Sequence, residues 1–111
     1  MKQFQARQGD VLVWQDDEAT GTVEIPREDG AVVLAHGEVT GHTHAIRVPG
    51  VCHLRAEGIH AEAINVTALL VEADSVALVH EEHATISIPA GRHHVIIQEE
   101  YSPEEYRNVA D

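Results

Sequence analysis

Short apolar runs, rich in Val, Ile, Leu and Thr, alternate along the chain with Gly, Pro and acidic residues. β-Branched residues favour strands, and the interruptions between the runs are typical of turns. Turns are predicted at residues 28–30, 49–50 and 90–91, the last directly after Pro89. Strands are predicted at residues 10–15, 22–25, 31–36, 44–48, 51–56, 75–80, 85–88 and 94–98. Val71 is assigned to the strand at 75–80.

Residues 59–70 fit two interpretations, a short helix or a strand–turn–strand unit. The sequence Asn65, Val66, Thr67 weakens the helix because all three are poor helix formers. Eight to ten short strands at close spacing predict an all-β fold, a small single-domain barrel or sandwich. We therefore interpret residues 1–111 as one β domain, with a polar, acidic tail at about residues 102–111.

The charge of the chain limits its partners. It has 111 residues, the size of one compact domain, with 19 acidic and 7 basic residues and a formal net charge of −12. Proteins that bind phosphate backbones or anionic membranes need a basic surface, so neither direct nucleic-acid contact nor membrane attraction is expected. An acidic surface suits a basic protein partner instead, and a homodimer is a common state of small barrels.

The sequence also bears on compartment. No apolar run reaches the roughly 18–20 residues of a membrane span, and the start, MKQFQARQGD, lacks the apolar stretch of a signal peptide. The single cysteine, Cys52, allows no disulfide within these residues and fits a reducing compartment. We therefore expect a cytoplasmic protein, with Cys52 as a small buried residue and Trp14 in the core.

Histidine dominates the candidate chemistry: the chain has 9 His, against 2 Tyr, 1 Trp and 1 Phe. Histidine is the commonest metal ligand. In the sequence GHTH, His42 and His44 are two residues apart, and an extended strand places such residues on one face. They are candidate ligands of one metal, and the alternative is a pair of surface histidines beside a turn. Glu38, four residues earlier, is a candidate ligand, hydrogen-bond partner or proton-transfer group.

The sequence HEEH supplies a second pair, His80 and His83, between the predicted strands at 75–80 and 85–88. Glu-Glu is a poor two-residue hairpin turn, so a longer loop or a bulge is expected, in which the two histidines can converge. Glu81 and Glu82 could add oxygen ligands. The spacing differs from the HExxH motif of zinc proteases, and incidental histidines at a charged loop are the alternative.

A third group, His93 and His94, follows the turn predicted at 90–91. Adjacent strand residues face opposite sides, so at most one of them is expected to join a metal site. His36, His53 and His60 stand alone and are interpreted as structural or exposed residues. The sequence contains no glycine-rich phosphate loop and no G-x-S-x-G motif, so it predicts no catalytic residue.

Some of these residues resemble the motifs of cupins. Gly37 with His42 and His44 resembles the first cupin motif, and Pro89, Gly91 and His94 resemble the second. The resemblance implies a double-stranded β-helix barrel that holds a divalent metal, with His94 as a substitute ligand. Arg47, Val48 and Pro49 stand where cupins carry the acidic ligand, and the glycine that precedes Pro89 in cupins is missing.

The runs QGDVLV, GEVTGHTHAI and HEEHATISIPAG resemble a family of small, uncharacterised bacterial and phage-borne proteins. In that family GHxH and HEEH form the shared pattern. The resemblance implies no activity. It implies one four-histidine set, consisting of His42, His44, His80 and His83.

Three functions compete on these grounds. The first is a small β-barrel that binds a divalent transition metal, Zn, Ni, Fe or Cu, through those four histidines. The second is an acidic interaction module or nucleic-acid mimic without metal. The third is a metal-free barrel enzyme or ligand carrier, in which histidines act as acid–base groups. We favour the first, and the sequence does not decide whether such a site is structural or catalytic.

Overall fold

The computed structural model describes residues 3–19, 21–36, 42–56 and 66–97. These residues form eight β-strands, which confirms the predicted all-β class. None of them forms a helix long and apolar enough to cross a membrane. The strands are β1 (Gln5–Gln8), β2 (Val11–Gln15), β3 (Val23–Glu24), β4 (Val32–His36), β5 (Thr43–Ile46), β6 (Val51–Arg55), β7 (Val66–Val79) and β8 (Ile86–Ile97).

All pairings between these strands are antiparallel, in one sheet with the order β1-β2-β8-β7-β5-β4. β6 also pairs with β7, and β3 pairs with β6. β7 therefore has two neighbours on one side. Its first half contacts β6 from Ala68 to Val71, and its last residues, Leu78 and Val79, contact β5. Within the described ranges the sheet does not close into a complete barrel.

The inner face of this sheet carries the core. Apolar side chains alternate with more exposed ones along β2, β4 and β6, as expected for strands with one face covered. The buried core consists of Val11, Val13, Val32, Leu34, Ile46, Val51, Leu69, Val71, Val76, Leu78, Ile88 and Val95. Trp14 is not part of it, so that prediction was wrong: Trp14 is half-buried with its ring centroid 5.0 Å from that of His94. Cys52 is also only half-buried.

The turn predicted at 90–91 was wrong, because β8 runs without interruption through Pro89 and Gly91. The irregularity lies in β7 instead. Val71 pairs with Gly91 and Ser75 pairs with Pro89, so residues 72–74 of β7 lie opposite Ala90 alone. Such a bulge bends a strand pair, and the φ of +123° at Gly91 is one that residues other than glycine rarely adopt.

Gly50 supports the bulge from the neighbouring loop. Its carbonyl oxygen accepts hydrogen bonds from the N–H groups of Glu72 at 2.8 Å and Ala73 at 3.2 Å. Two donors that the β7–β8 ladder does not use are thereby paired. The chain continues through the bulge, so β7 and β8 are two long strands in place of the short ones that were predicted at 75–80, 85–88 and 94–98.

The first strand was not predicted at all. β1 has the polar sequence QARQ, yet it pairs with β2 from Gln5↔Trp14 to Gln8↔Val11. Gly9, with φ +56°, occupies the two-residue turn between them. The turn at 28–30 was predicted correctly: Glu28 bridges Ala31, and Asp29 and Gly30 both have positive φ. The predicted tail at 102–111 and residues 57–65 lie outside the described residues.

Candidate metal centre

Three segments meet at one end of the sheet. They are the β1–β2 turn, the start of β5, and residues 80–85, which connect β7 to β8. The pairing of Ala45 with Val79 brings the residues just before β5 beside those just after β7. The HEEH sequence does lie in a loop longer than two residues, as predicted.

The four histidines of the GHTH and HEEH sequences contact one another here. The ring centroid of His80 lies 4.3 Å from that of His44, 5.8 Å from that of His42 and 4.7 Å from that of His83. The centroids of His44 and His83 are 6.0 Å apart. The structure thus brings together the four residues that the sequence grouped as ligands. We call His42, His44, His80 and His83 the histidine cluster.

These separations match the size of a tetrahedral metal centre. With metal–nitrogen bonds of about 2.0–2.1 Å, neighbouring ligand nitrogens lie about 3.3 Å apart and the ring centres about 5 Å apart. The centroid separations, 4.3 to 6.0 Å, fall on both sides of that value. Within the described residues, the ligand atoms that already lie within 4.8 Å of one another are those of His42, His80 and Glu81, so coordination by all four rings would require the nitrogens of His44 and His83 to approach them.

Glu81 adds an oxygen ligand to the same place. Ligand atoms of His42, His80 and Glu81 all lie within 4.8 Å of one another. One carboxylate oxygen of Glu81, Oε1, accepts a hydrogen bond of 2.9 Å from the backbone N–H of Thr43. That bond ties the loop after β7 to the start of β5. Glu82 is more distant, with Oε1 3.9 Å from Nδ1 of His42.

Gln8 is a member of this site that sequence reasoning missed. Its side chain is 2% exposed, and its Nε2 donates hydrogen bonds to the carbonyl oxygens of Leu78 at 3.0 Å and Ala84 at 2.9 Å. Two carbonyl acceptors fix the amide orientation, so Oε1 is the atom that lies 2.8 Å from Nδ1 of His44. His44 must therefore donate from Nδ1, and its Nε2 keeps the free lone pair that a metal needs.

His80 is held differently. Its Nδ1 accepts a hydrogen bond of 3.0 Å from the backbone N–H of Glu82. In the neutral ring the proton is then on Nε2. A metal bound through either nitrogen of His80 would have to displace the Glu82 N–H or move the ring proton. Binding at His80 is therefore coupled to a rearrangement of residues 81–83.

Gly9 provides the space for the cluster. A Cβ added at Gly9 would lie 2.8 Å from Nε2 of His83 and 3.3 Å from Cε1 of His44. The first distance is too short for real contacts, so any side chain here would push His83 away. Glycine is therefore required at this turn both for its φ of +56° and for the close approach of the imidazoles.

The electrostatics of the site favour the forms that bind metal. Burial lowers the pKa of His44, and the neighbouring His80 and His83 lower it further, against a smaller opposite effect of Asp10 and Glu81. The pKa of the Glu81 carboxyl is lowered, first by the hydrogen bond from Thr43 and then by that from its own backbone N–H. A neutral imidazole and an ionised carboxylate are the states in which these groups coordinate a metal.

The remaining histidines lie elsewhere. His94 is on the other face of β8, where its Nε2 lies 3.0 Å from Oδ2 of Asp16 and its ring contacts Trp14. His93 is fully buried, with Nε2 2.8 Å from the carbonyl oxygen of Pro89. His36 is exposed and pairs with Glu28 at 3.2 Å. The structure thus places the substitute ligand His94 away from the cluster contacts, while Glu38 and His60 lie outside the described residues.

Comparison with known proteins identifies a family but no activity. A family model described as "Domain of unknown function (DUF8820)" matches residues 7–98, which include all eight strands except the first two residues of β1. No curated protein and no solved structure matches the chain.

Proposed function

The chain belongs to the DUF8820 family, and we propose that it binds a divalent transition metal at the histidine cluster. This agrees with the expectation of an uncharacterised family, while the resemblance to cupins receives no support from the comparisons. The proposal rests on the chemistry of the site alone.

The convergence of four imidazole rings from two distant segments is the observation that carries the proposal. Imidazoles that approach this closely repel one another when protonated: the pKa of His44 is lowered first by burial and then by the neighbouring His80 and His83. A shared cation removes that cost, because it binds the neutral rings. Gln8 adds support, since metal-ligating histidines almost always donate their second ring nitrogen to an oriented acceptor.

The ligand types suit Zn, Ni, Fe or Cu, all of which accept imidazole nitrogen. Two ligand sets are available. The four histidines would close a tetrahedral site and give the metal a structural role. His42, His80 and Glu81 would hold it with three ligands and leave a position open for water or substrate. In that second case a bound metal would act as a Lewis acid.

Elemental analysis of the untagged protein, purified without chelator or added metal, is the first test. We expect close to one transition metal per chain, and we expect the His42→Ala/His44→Ala double variant to lose it. His80→Ala and His83→Ala should each weaken binding. His94→Ala is the matched control, because His94 lies on the other face of the sheet.

Two results would contradict the proposal. One is metal loss in His94→Ala that equals the loss in the cluster variants. The other is a folded, metal-free protein whose melting temperature does not change when Zn, Ni, Fe or Cu is added. In the second case an acidic module with a basic protein partner becomes the leading account, since the formal charge is −12.

A further inference from the structure

A pocket of about 330 Å³ lies at the other end of β7 from the histidine cluster. Thr67, near the start of β7, contributes to its wall, whereas the cluster follows the last residue of that strand. No residue of the histidine cluster lines the pocket, so the two places are separate sites. Residues of β3, β4, β6, β7 and β8 contribute to its wall.

The wall of the pocket is mainly apolar. Leu34 of β4 belongs to the core cluster, and Ile97 follows the buried Val95 on the same face of β8. Ile25 donates its backbone N–H to the carbonyl oxygen of His53, and the pairing of β3 with β6 continues to place it opposite the buried His53, on the same face. These three side chains offer an apolar surface to an occupant of the pocket.

One charged side chain shares the inner face. In β6, Val51 and His53 are buried, and Arg55 follows them with the same two-residue period. The other charged residue of the wall, Glu24, pairs with Leu54 and so belongs to the opposite face. Within the residues that the structure describes, Arg55 makes no ion pair, and its guanidinium donates only a long hydrogen bond of 3.4 Å to the carbonyl oxygen of Ala56.

A second donor stands beside the arginine. The hydroxyl of Thr67 lies 2.8 Å from Nε2 of His53, a residue that is 5% exposed. Burial lowers the pKa of His53 to about 4, so the ring is neutral at pH 7. Nδ1 of His53 has no partner among the described residues. A buried acceptor without a partner costs less than a buried N–H without one, so we place the ring proton on Nε2. Nε2 then donates to Thr67, and the threonine hydroxyl hydrogen is free to point into the pocket.

We propose that this pocket binds a small organic carboxylate, with its anionic group on Arg55 and Thr67 and its apolar chain against Ile25, Leu34 and Ile97. The guanidinium of Arg55, which makes no ion pair among the described residues, and the hydroxyl of Thr67 supply donors for an anion, and Arg is the side chain best suited to a carboxylate. The apolar wall selects a hydrocarbon body. A volume of 330 Å³ corresponds to about eleven groups of the size of a water molecule, which matches a chain of about eight carbons.

Isothermal titration with octanoate, in a buffer that contains a chelator so that no metal at the histidine cluster contributes, tests the proposal. We expect saturable binding to the full chain and no binding of octanamide, its neutral analogue. Arg55→Gln should weaken octanoate binding by about tenfold or more, the effect of losing a charge-assisted hydrogen-bonded pair. Thr67→Val, which keeps the shape of the side chain, should weaken it less.

Arg47→Gln is the matched control, since Arg47 is exposed and does not line the pocket. Arg55→Lys keeps the charge and should retain part of the affinity, which separates loss of binding from loss of folding. Amide NMR spectra should show octanoate-dependent shifts at Leu34, Thr67 and Ile97. Equal affinity in wild type, Arg55→Gln and Arg47→Gln would overturn the proposal, as would the absence of any shift at these three residues at millimolar octanoate.

Discussion

Gln8 links the fold to the candidate metal centre, and its replacement by Met has two separable consequences. Met has nearly the same shape but no hydrogen-bonding atoms, so Gln8→Met removes the bonds to Leu78, Ala84 and His44 without opening a large cavity. Each bond contributes about 1 kcal/mol net, and buried partners left unpaired cost about 1–3 kcal/mol each. The free energy of unfolding should therefore fall by about 3–5 kcal/mol.

For a domain of this length, that loss lowers the melting temperature by roughly 4 °C per kcal/mol, or about 12–20 °C. Urea unfolding of the metal-free protein measures the first consequence. Gln5→Met is the matched control, because Gln5 lies on the same strand with an exposed side chain and should change stability by less than about 0.5 kcal/mol.

The second consequence concerns the metal. Without the Gln8 acceptor, nothing fixes the proton of His44 on Nδ1, so Nε2 is no longer held as a ligand. Loss of such an orienting partner typically reduces metal affinity about 10–100-fold. Competition with a chromophoric zinc chelator measures this directly. The reasoning is refuted if Gln8→Met and Gln5→Met have the same stability, or if Gln8→Met is destabilised but binds zinc as tightly as the wild type.

Three further outcomes follow from single side chains. Gly9→Ala should lose metal affinity because the new Cβ would contact His83. Gly30→Ala is the control: Gly30 has a φ of +80° and nothing lies within 4 Å of an added Cβ, so this variant should lose only about 1 kcal/mol of stability. Equal metal affinities of the two variants would contradict this. Because the pKa of His53 falls from 6.5 unfolded to about 4 folded, the unfolded chain protonates first as pH falls. The free energy of unfolding should therefore fall by up to about 3 kcal/mol between pH 6.5 and 4. The urea midpoint of His53→Gln should decrease less over this pH range than that of the wild type. Gly50→Ala should destabilise the protein more than Gly30→Ala in thermal unfolding, since its Cβ would lie 2.8 Å from that of Ala73 at the bulge.

Most individual strands could be predicted from the sequence, because apolar, β-branched residues mark them directly. The continuity of β7 and β8 could not. Pro89 and Gly91 have the composition of a turn, but Pro89 pairs with Ser75 and the chain continues, since the extra residues of the bulge lie in the other strand. Local composition does not show that Gly50, more than twenty residues away, supplies the acceptor for the bulge.

The histidine cluster was predictable for a different reason. His42 with His44, and His80 with His83, are each close in sequence, so local spacing predicted the two pairs. The resemblance to the family of small bacterial and phage-borne proteins joined the pairs in one set. Gln8 was not predictable, because its strand carries a polar sequence and its partners lie 36 to 76 positions away. The topology that places β1–β2 beside β8 decides that contact. The sequence also did not decide which face of its strand His94 occupies, because both faces of that strand are apolar.

The way each histidine is held indicates where the cluster is prepared for a metal and where it must change. His44 is buried and its tautomer is set by Gln8, so its Nε2 does not have to lose a proton before it coordinates a metal. His80 must first give up the N–H of Glu82, at a cost of about 1 kcal/mol, or roughly a fivefold loss of affinity. Glu81 is already held toward β5 by Thr43. A metal would thus meet a fixed ligand on β5 and an adjustable set in the loop, so binding should order residues 80–85 more than it alters the sheet.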